Sequence, residues 1–273
     1  MDRADVEQRL DALVLENRFT IAVLFPAVGA VLLAGSAAGL VPEPFKFNPY
    51  LILLGTAVMR LPLVAGLAPL IDRRAAGALL ALTAYTYLIE LVGVRTGYPY
   101  GEFEYLIELG PMLAGAVPAG LPIFFFPLVL NAYLLVLLVG PGTRGGRFLA
   151  TAAMVVGLDL VLDPAAVALG FWEYRAGGLY YDVPVQNFAG WVLSAVVAVG
   201  LLEVGLPTDA VQARLRTCAF MLDDMVSFVI LWGAINAYYL NLVPLLLAVG
   251  LFGALRTADR FDIPLPGRQA RPG

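Results

Sequence analysis

The chain has 273 residues, 60% of them hydrophobic and 14% charged, with a formal net charge of -4 and no histidine. So little polar surface cannot cover a soluble core, which makes lipid the expected main solvent. A single cysteine, Cys218, and the absence of His exclude a thiolate or imidazole metal site, a His-ligated haem and an internal disulfide; the single lysine, Lys46, lies in a connection, which excludes a Schiff base on a membrane helix.

In chain order, residues 1–18 carry Val6, Leu10, Leu13 and Val14 on one helical face, the spacing of an amphipathic helix lying in the interface. No short apolar run with a small-residue cleavage site precedes it, so no signal peptide is expected. Apolar runs of span character follow at residues 19–40, 50–70, 75–94, 119–139, 148–169, 188–206, 220–240 and 242–256. They predict an all-α polytopic membrane domain over residues 19–256 with about eight helices, or seven if the short last run is incomplete. The tail, residues 257–273, is rich in Arg, Pro and Gly and is expected to be disordered.

Basic residues alternate with the spans. Arg3, Arg9, Arg18, Arg73, Arg74, Arg144, Arg147, Arg214, Arg216, Arg256, Arg260, Arg268 and Arg271 fall on one side, and Lys46, Arg95 and Arg175 on the other. Thirteen against three predicts both termini at the cytoplasmic face of a multi-pass protein of the cell membrane. Arg60 alone is left inside a span, where it needs a buried carboxylate partner.

Ionisable groups within spans are costly and therefore candidates for function. Glu90 falls near the outer end of the third run, and Asp159 and Asp163 in the fifth. Four residues apart, the two aspartates share a helical face. Like charges that close repel in a poor dielectric, so the pair is expected to keep a proton and to serve as a donor. Two outer connections are rich in aromatics and acids: Tyr98-Pro99-Tyr100-Gly101-Glu102-Phe103-Glu104-Tyr105, and Trp172-Glu173-Tyr174 leading on to Asn187 and Trp191. An interfacial aromatic belt accounts for the rings but not for the acids beside them. Asn131 and Asn236 read as interhelical hydrogen-bond donors, and Asp223 and Asp224 as acids favouring the positive end of a helix.

The runs Gly97–Tyr105, Leu109-Gly110-Pro111, Val117-Pro118, Asp159–Pro164, Gly170-Phe171-Trp172 and Asn187–Trp191 together resemble the CruF-type carotenoid hydratase family over about residues 90 to 191. The acidic, lysine-poor composition is similar to its haloarchaeal branch. The resemblance implies a hydro-lyase without a cofactor or metal that adds water to the terminal isoprenoid double bond of an acyclic, C50 carotenoid in bacterioruberin-type biosynthesis. The expected chemistry is protonation to a tertiary carbocation followed by capture with water. Asp159 or Asp163 is the expected acid, and Glu102 or Glu104 the group that positions or deprotonates water. Glu90, Tyr98, Tyr100, Trp172, Tyr174, Asn187 and Trp191 are expected to bind substrate, the aromatic faces steadying the cation. Expected partners are membrane lipid, the carotenoid and other membrane enzymes of the pathway, with no nucleic acid.

Three other readings compete. Asp159 and Asp163 resemble half of an aspartate-rich diphosphate site, as in a membrane prenyltransferase, but the second half is missing. A carotenoid end-group cyclase shares the cation chemistry and differs in what traps the cation. A small proton-coupled transporter could use Glu90, Asp159 and Asp163 as a relay, but the chain carries no inverted repeat.

Overall fold

The computed structural model describes residues 2–258. The expected tail thus lies outside the described residues from residue 259 onward; Thr257 ends the last helix.

All eight apolar runs are helical. The first is a π-helical turn, Thr20–Leu24, running into α2, Phe25–Ala37; α1, Arg3–Glu16, precedes it. The second run is α3, Pro49–Met59, and α4, Leu61–Leu67, followed by the 3-10 turn Ala68–Leu70. The others are α5 (Arg73–Thr96), α6 (Leu121–Val139), α7 (Arg144–Leu169) and α8 (Val185–Gly205), then α10 (Asp223–Tyr238) and α11 (Leu242–Thr257), with a short surface helix α9 (Thr208–Thr217) between. The chain is an all-α polytopic membrane protein. By length and apolarity, five described helices can cross a bilayer, and a sixth if α3 and α4, bent by 42°, count as one span.

The seventh run is shorter than expected, and the eighth as short as its apolar run, with 16 residues in each helix. That is about 24 Å at 1.5 Å per residue, against a hydrocarbon thickness of about 30 Å. Helix α10 loses its first turn because Asp223 and Asp224 open it. Their carboxylates sit at the positive end of the helix dipole, and the preceding Cys218–Leu222 forms turns.

Both acids are fully buried, and each has an arginine. Arg18 Nε and Nη2 donate to Asp223 Oδ2 and Oδ1 at 2.7 and 2.8 Å. Arg60, in the bend between α3 and α4, donates to Asp224 Oδ1, and Asn131 Nδ2 donates to its other oxygen at 2.5 Å. Helix α10 also packs on α2, α4, α6, α7 and α11, so these pairs lie at the centre of the bundle. Asn131 and Asn236 are both interhelical donors, Asn236 Nδ2 reaching the Val161 carbonyl of α7 at 2.8 Å.

Two prolines interrupt helices, and each freed carbonyl finds a donor from elsewhere. Pro127 has no N–H for Ile123 O, which accepts from Arg60 Nε at 3.3 Å instead. Pro164 leaves Leu160 O without its helical donor, and the Tyr180 hydroxyl donates to it at 3.1 Å.

At one end of the bundle the arginine-bearing elements meet. Arg3 donates to the Ala68 and Ile71 carbonyls, Arg214 to Asp11, and Arg147 to both oxygens of Glu203. Helix α1 is capped by Asp2 and rests against α4, with Val14 buried. The connections after α5 and α7 form two small antiparallel ribbons. Strand β1, Phe103–Tyr105, pairs with β4, Trp172–Tyr174, and β2, Met112–Leu113, pairs with β3, Val117–Pro118.

Replacing Arg18 with Met takes the guanidinium from a buried carboxylate, and removing one partner of such a pair costs roughly 3–5 kcal/mol. The expected result is a lower unfolding midpoint in detergent, partly restored by the double change Arg18→Met with Asp223→Leu. A single variant as stable as the parent would show that the pair contributes little.

Candidate active site

Helix α7 carries Asp159 and Asp163 on the face turned toward the first turn of α8. Both are buried, as is Asn187, which sits opposite them. Asn187 Nδ2 lies 2.6 Å from Asp163 Oδ2 and 3.1 Å from Asp159 Oδ2, so one amide nitrogen bridges the two carboxylates. The Tyr174 hydroxyl donates to the same Asp163 oxygen at 3.0 Å. Asp159 Oδ1 is buried with no hydrogen-bond donor among the described residues.

Asp163 opens onto a cavity with about 1070 Å³ of non-atom space, part of it open to the outside. Its walls come from α2, α3, α5, α6, α7, α8, α10 and the β1–β4 ribbon. Glu90, Tyr100, Trp172, Tyr174, Asn187 and Trp191 all line it. Glu90, on α5, accepts a hydrogen bond from Tyr105. Trp191 stacks on Phe125 with ring centres 5.3 Å apart and planes 20° from parallel, and it meets Tyr100 at 6.1 Å. Tyr100 approaches α8 so closely that a Cβ on Gly190 would lie 2.5 Å from its ring; glycine there lets the Tyr100 hydroxyl reach Ser194 Oγ at 2.6 Å.

The ribbon decides which acids and rings face the cavity. Successive residues of a strand point to opposite sides, so Phe103 and Tyr105 on β1 and Trp172 and Tyr174 on β4 turn inward. Glu104 and Glu173, directly paired, turn outward. Like charges opposite each other are unfavourable, and Arg175 offsets them, 3.8 Å from Glu104 and 4.0 Å from Glu102. The side chains of Glu102 and Glu104 are 68% and 51% exposed, so neither expected water-handling acid is brought to the cavity. Tyr98 is 64% exposed and also stands outside it. Burial first, and the neighbouring carboxylates second, push the phenols of Tyr105 and Tyr174 well above the ordinary tyrosine range, so both remain donors.

Several wall residues escape a reading of the sequence. Tyr105 is visible only as one ring among many, and the contribution of Phe125 depends on its stacking with a residue 66 positions away. Arg60 borders the cavity floor through its pairing with Asp224, 164 residues further along. Among the described residues, no three His, Cys, Asp or Glu side chains converge as a metal ion would require. The arrangement is a buried carboxylate pair with fixed donors, set in the wall of an aromatic and aliphatic cavity. Such a site can transfer a proton to an apolar substrate and surround a developing cation with ring faces.

A family model described as carotenoid biosynthesis protein matches residues 47–255, which include α3 to α10 and every cavity residue named above. A curated relative from Haloarcula japonica, bisanhydrobacterioruberin hydratase, is 60% identical over 267 residues, covering 96% of this chain and 90% of its own. No solved structure matches. The shared sequence thus runs through the whole carboxylate and aromatic site, and the chain belongs to the carotenoid biosynthesis protein family.

Proposed function

We propose that this chain is a carotenoid hydratase that adds water to the terminal isoprenoid double bond of an acyclic C50 carotenoid, in the formation of bacterioruberin. The observation that carries this reading is Asp163, clamped by Asn187 and Tyr174, in the wall of an otherwise apolar aromatic cavity. The 60% identity to a hydratase supports the reaction class and the substrate.

Asp163, coupled to Asp159 through the shared Asn187 amide, gives its proton to the less substituted carbon of the trisubstituted alkene. The π pair becomes the new C–H bond, and a tertiary cation remains on the neighbouring carbon. Trp172, Tyr174 and Trp191 present their ring faces to it, an attraction worth about 2 kcal/mol or more where water is excluded. Water then forms the C–O bond and releases one proton, which Glu90 or the emptied aspartate pair accepts. From Glu90 the proton passes back to the aspartate pair, so one proton is given, one is returned, and the net change is the addition of water.

Glu90 replaces Glu102 and Glu104 in this scheme because it is the carboxylate of α5 that faces the cavity. The positive-inside pattern supports an orientation with the arginine-bearing end of the bundle at the cytoplasmic face of the cell membrane. The ribbon and its cavity then lie toward the outer interface, where water is close and the polyene can remain in lipid. Helix α1 would rest at the inner interface, and other membrane enzymes of the pathway would supply the carotenoid.

Expression in a host that accumulates the acyclic C50 precursor, with pigments read by mass spectrometry, is expected to give products heavier by one or more waters. An unchanged pigment profile from folded protein would remove the assignment. Asp163→Asn is expected to lower turnover by about 10²–10⁴-fold, the usual contribution of a positioned acid, and Asp159→Asn to lower it as well. Glu102→Gln and Glu104→Gln are expected to leave turnover within about twofold, since a general acid–base role would show as a loss of 10² or more. Full activity in both aspartate variants would refute the proton-donor assignment.

A further inference from the structure

A second cavity, with about 780 Å³ of non-atom space, lies beside the first. Its sides are two facing helical stripes. Helix α2 presents Gly29, Leu32, Leu33 and Ser36, and α3 presents Leu51, Ile52, Gly55, Thr56 and Met59, each at the three- and four-residue spacing of one helix face. Leu33, Ile52, Thr56, Met59 and Leu231 line both cavities, so those side chains form the partition between them. Phe25, Leu32, Phe45 and Leu51, also in the lining, are 38–60% exposed, which gives this second space an apolar mouth on the side of the bundle.

Two of the three polar side chains of this lining, Asn48 and Ser36, serve the backbone, and the third, Thr56, is buried. Asn48 Oδ1 accepts from the Tyr50 and Leu51 amides at the start of α3, and Ser36 Oγ accepts from the Phe47 amide at 3.5 Å. The lining therefore suits a ligand without polar groups. Helix α3 is held in place from its other face, where Leu53 lies so close to Gly110 and Gly120 that a Cβ on either would approach it to 2.5 Å.

We propose that the groove between α2 and α3 is a binding subsite for the hydrocarbon chain of the substrate: a polyene enters sideways from the lipid through the Phe25–Phe45 mouth, crosses at Ile52 and Met59, and delivers its terminal alkene to the aspartate cavity. This rests on the hydratase reading for the identity of the chain, but the binding can be measured without turnover. The walls explain the selection of an extended, apolar substrate, which the carboxylate site alone does not. Gly55 and Gly29 keep the groove open. A Cβ on Gly55 would meet nothing within 4 Å, and one on Gly29 would make an ordinary 3.4 Å contact with Leu231.

The test uses Gly55→Phe in the full chain, with Leu54→Phe, on the 61% exposed neighbouring position, as control. Lycopene in detergent micelles is the long probe, followed by quenching of tryptophan fluorescence, since Trp172, Trp191 and Trp232 all line the first cavity. Gly55→Phe is expected to weaken this quenching by at least about tenfold in Kd, or 1.4 kcal/mol, while Leu54→Phe leaves it unchanged. Hydration of 2-methyl-2-heptene, which carries the same terminal alkene and fits within the first cavity, is expected to survive in Gly55→Phe. Equal lycopene affinity in the parent and Gly55→Phe overturns the subsite, as does an equal loss of short-alkene hydration. Should Gly55→Phe not fold, Gly29→Leu fills the groove from its other wall and is read in the same way. If Gly55→Phe blocks lycopene binding but the parent hydrates neither probe nor the acyclic C50 precursor, the subsite stands and the hydratase reading fails.

Discussion

Two neighbouring carboxylates, Asp223 and Asp224, hold the middle of this protein together. Consecutive helical residues point in directions about 100° apart, so the two acids reach different neighbours: Arg18 ahead of α2, and Arg60 between α3 and α4. Removing charges from water is expensive, and the attraction compensates only when the remaining lone pairs are also satisfied. Asn131 meets that condition for Asp224. The bend at Arg60 and the position of α3 beside the cavity are therefore tied to one buried centre, and α2 is tied to it through Arg18.

The same constraint, that every polar group must find a partner inside the protein, explains the prolines. A proline within a helix frees a carbonyl one turn back. Here those carbonyls become attachment points, Ile123 for Arg60 and Leu160 for Tyr180. The second lies one turn before Pro164 on α7, so the residue following Asp163 also fixes the connection between α7 and α8. Asp163 and the Leu160 carbonyl belong to one helix turn, and Tyr174 and Tyr180 bind to it from the same connection.

Much of this was legible in the amino-acid order. The apolar runs gave all the long helices, and the four-residue spacing of Asp159 and Asp163 put both acids on the face that meets Asn187. Glu90, Trp172 and Trp191 stood out as polar or amphipathic groups beside them. The orientation of the ribbon was less accessible, because strands of three residues are too short to display a period of two. Glu102 and Glu104 therefore read as site acids, while Tyr105 between ribbon and helix did not stand out. The partner of Arg60 was hidden by distance along the chain: any buried acid satisfies the rule, and only packing selects Asp224. The shortness of α10 has the same origin, since its apolar run continues upstream of the acids that set where the helix starts.

The ion pairs also have an order in time. Arg18 and Arg60 leave the ribosome 205 and 164 residues before Asp223 and Asp224, while α2 to α8 enter the bilayer. During that interval neither arginine has the carboxylate that neutralises it in the finished bundle, and a charge on a membrane helix then favours the interface over the hydrocarbon. The bend between α3 and α4, and with it the floor of the cavity, can settle only when the start of α10 has been made. The wall that carries Asp159 and Asp163 thus arises in the middle of translation, the cavity takes its final form near the end, and a chain released early lacks the carboxylates that complete it.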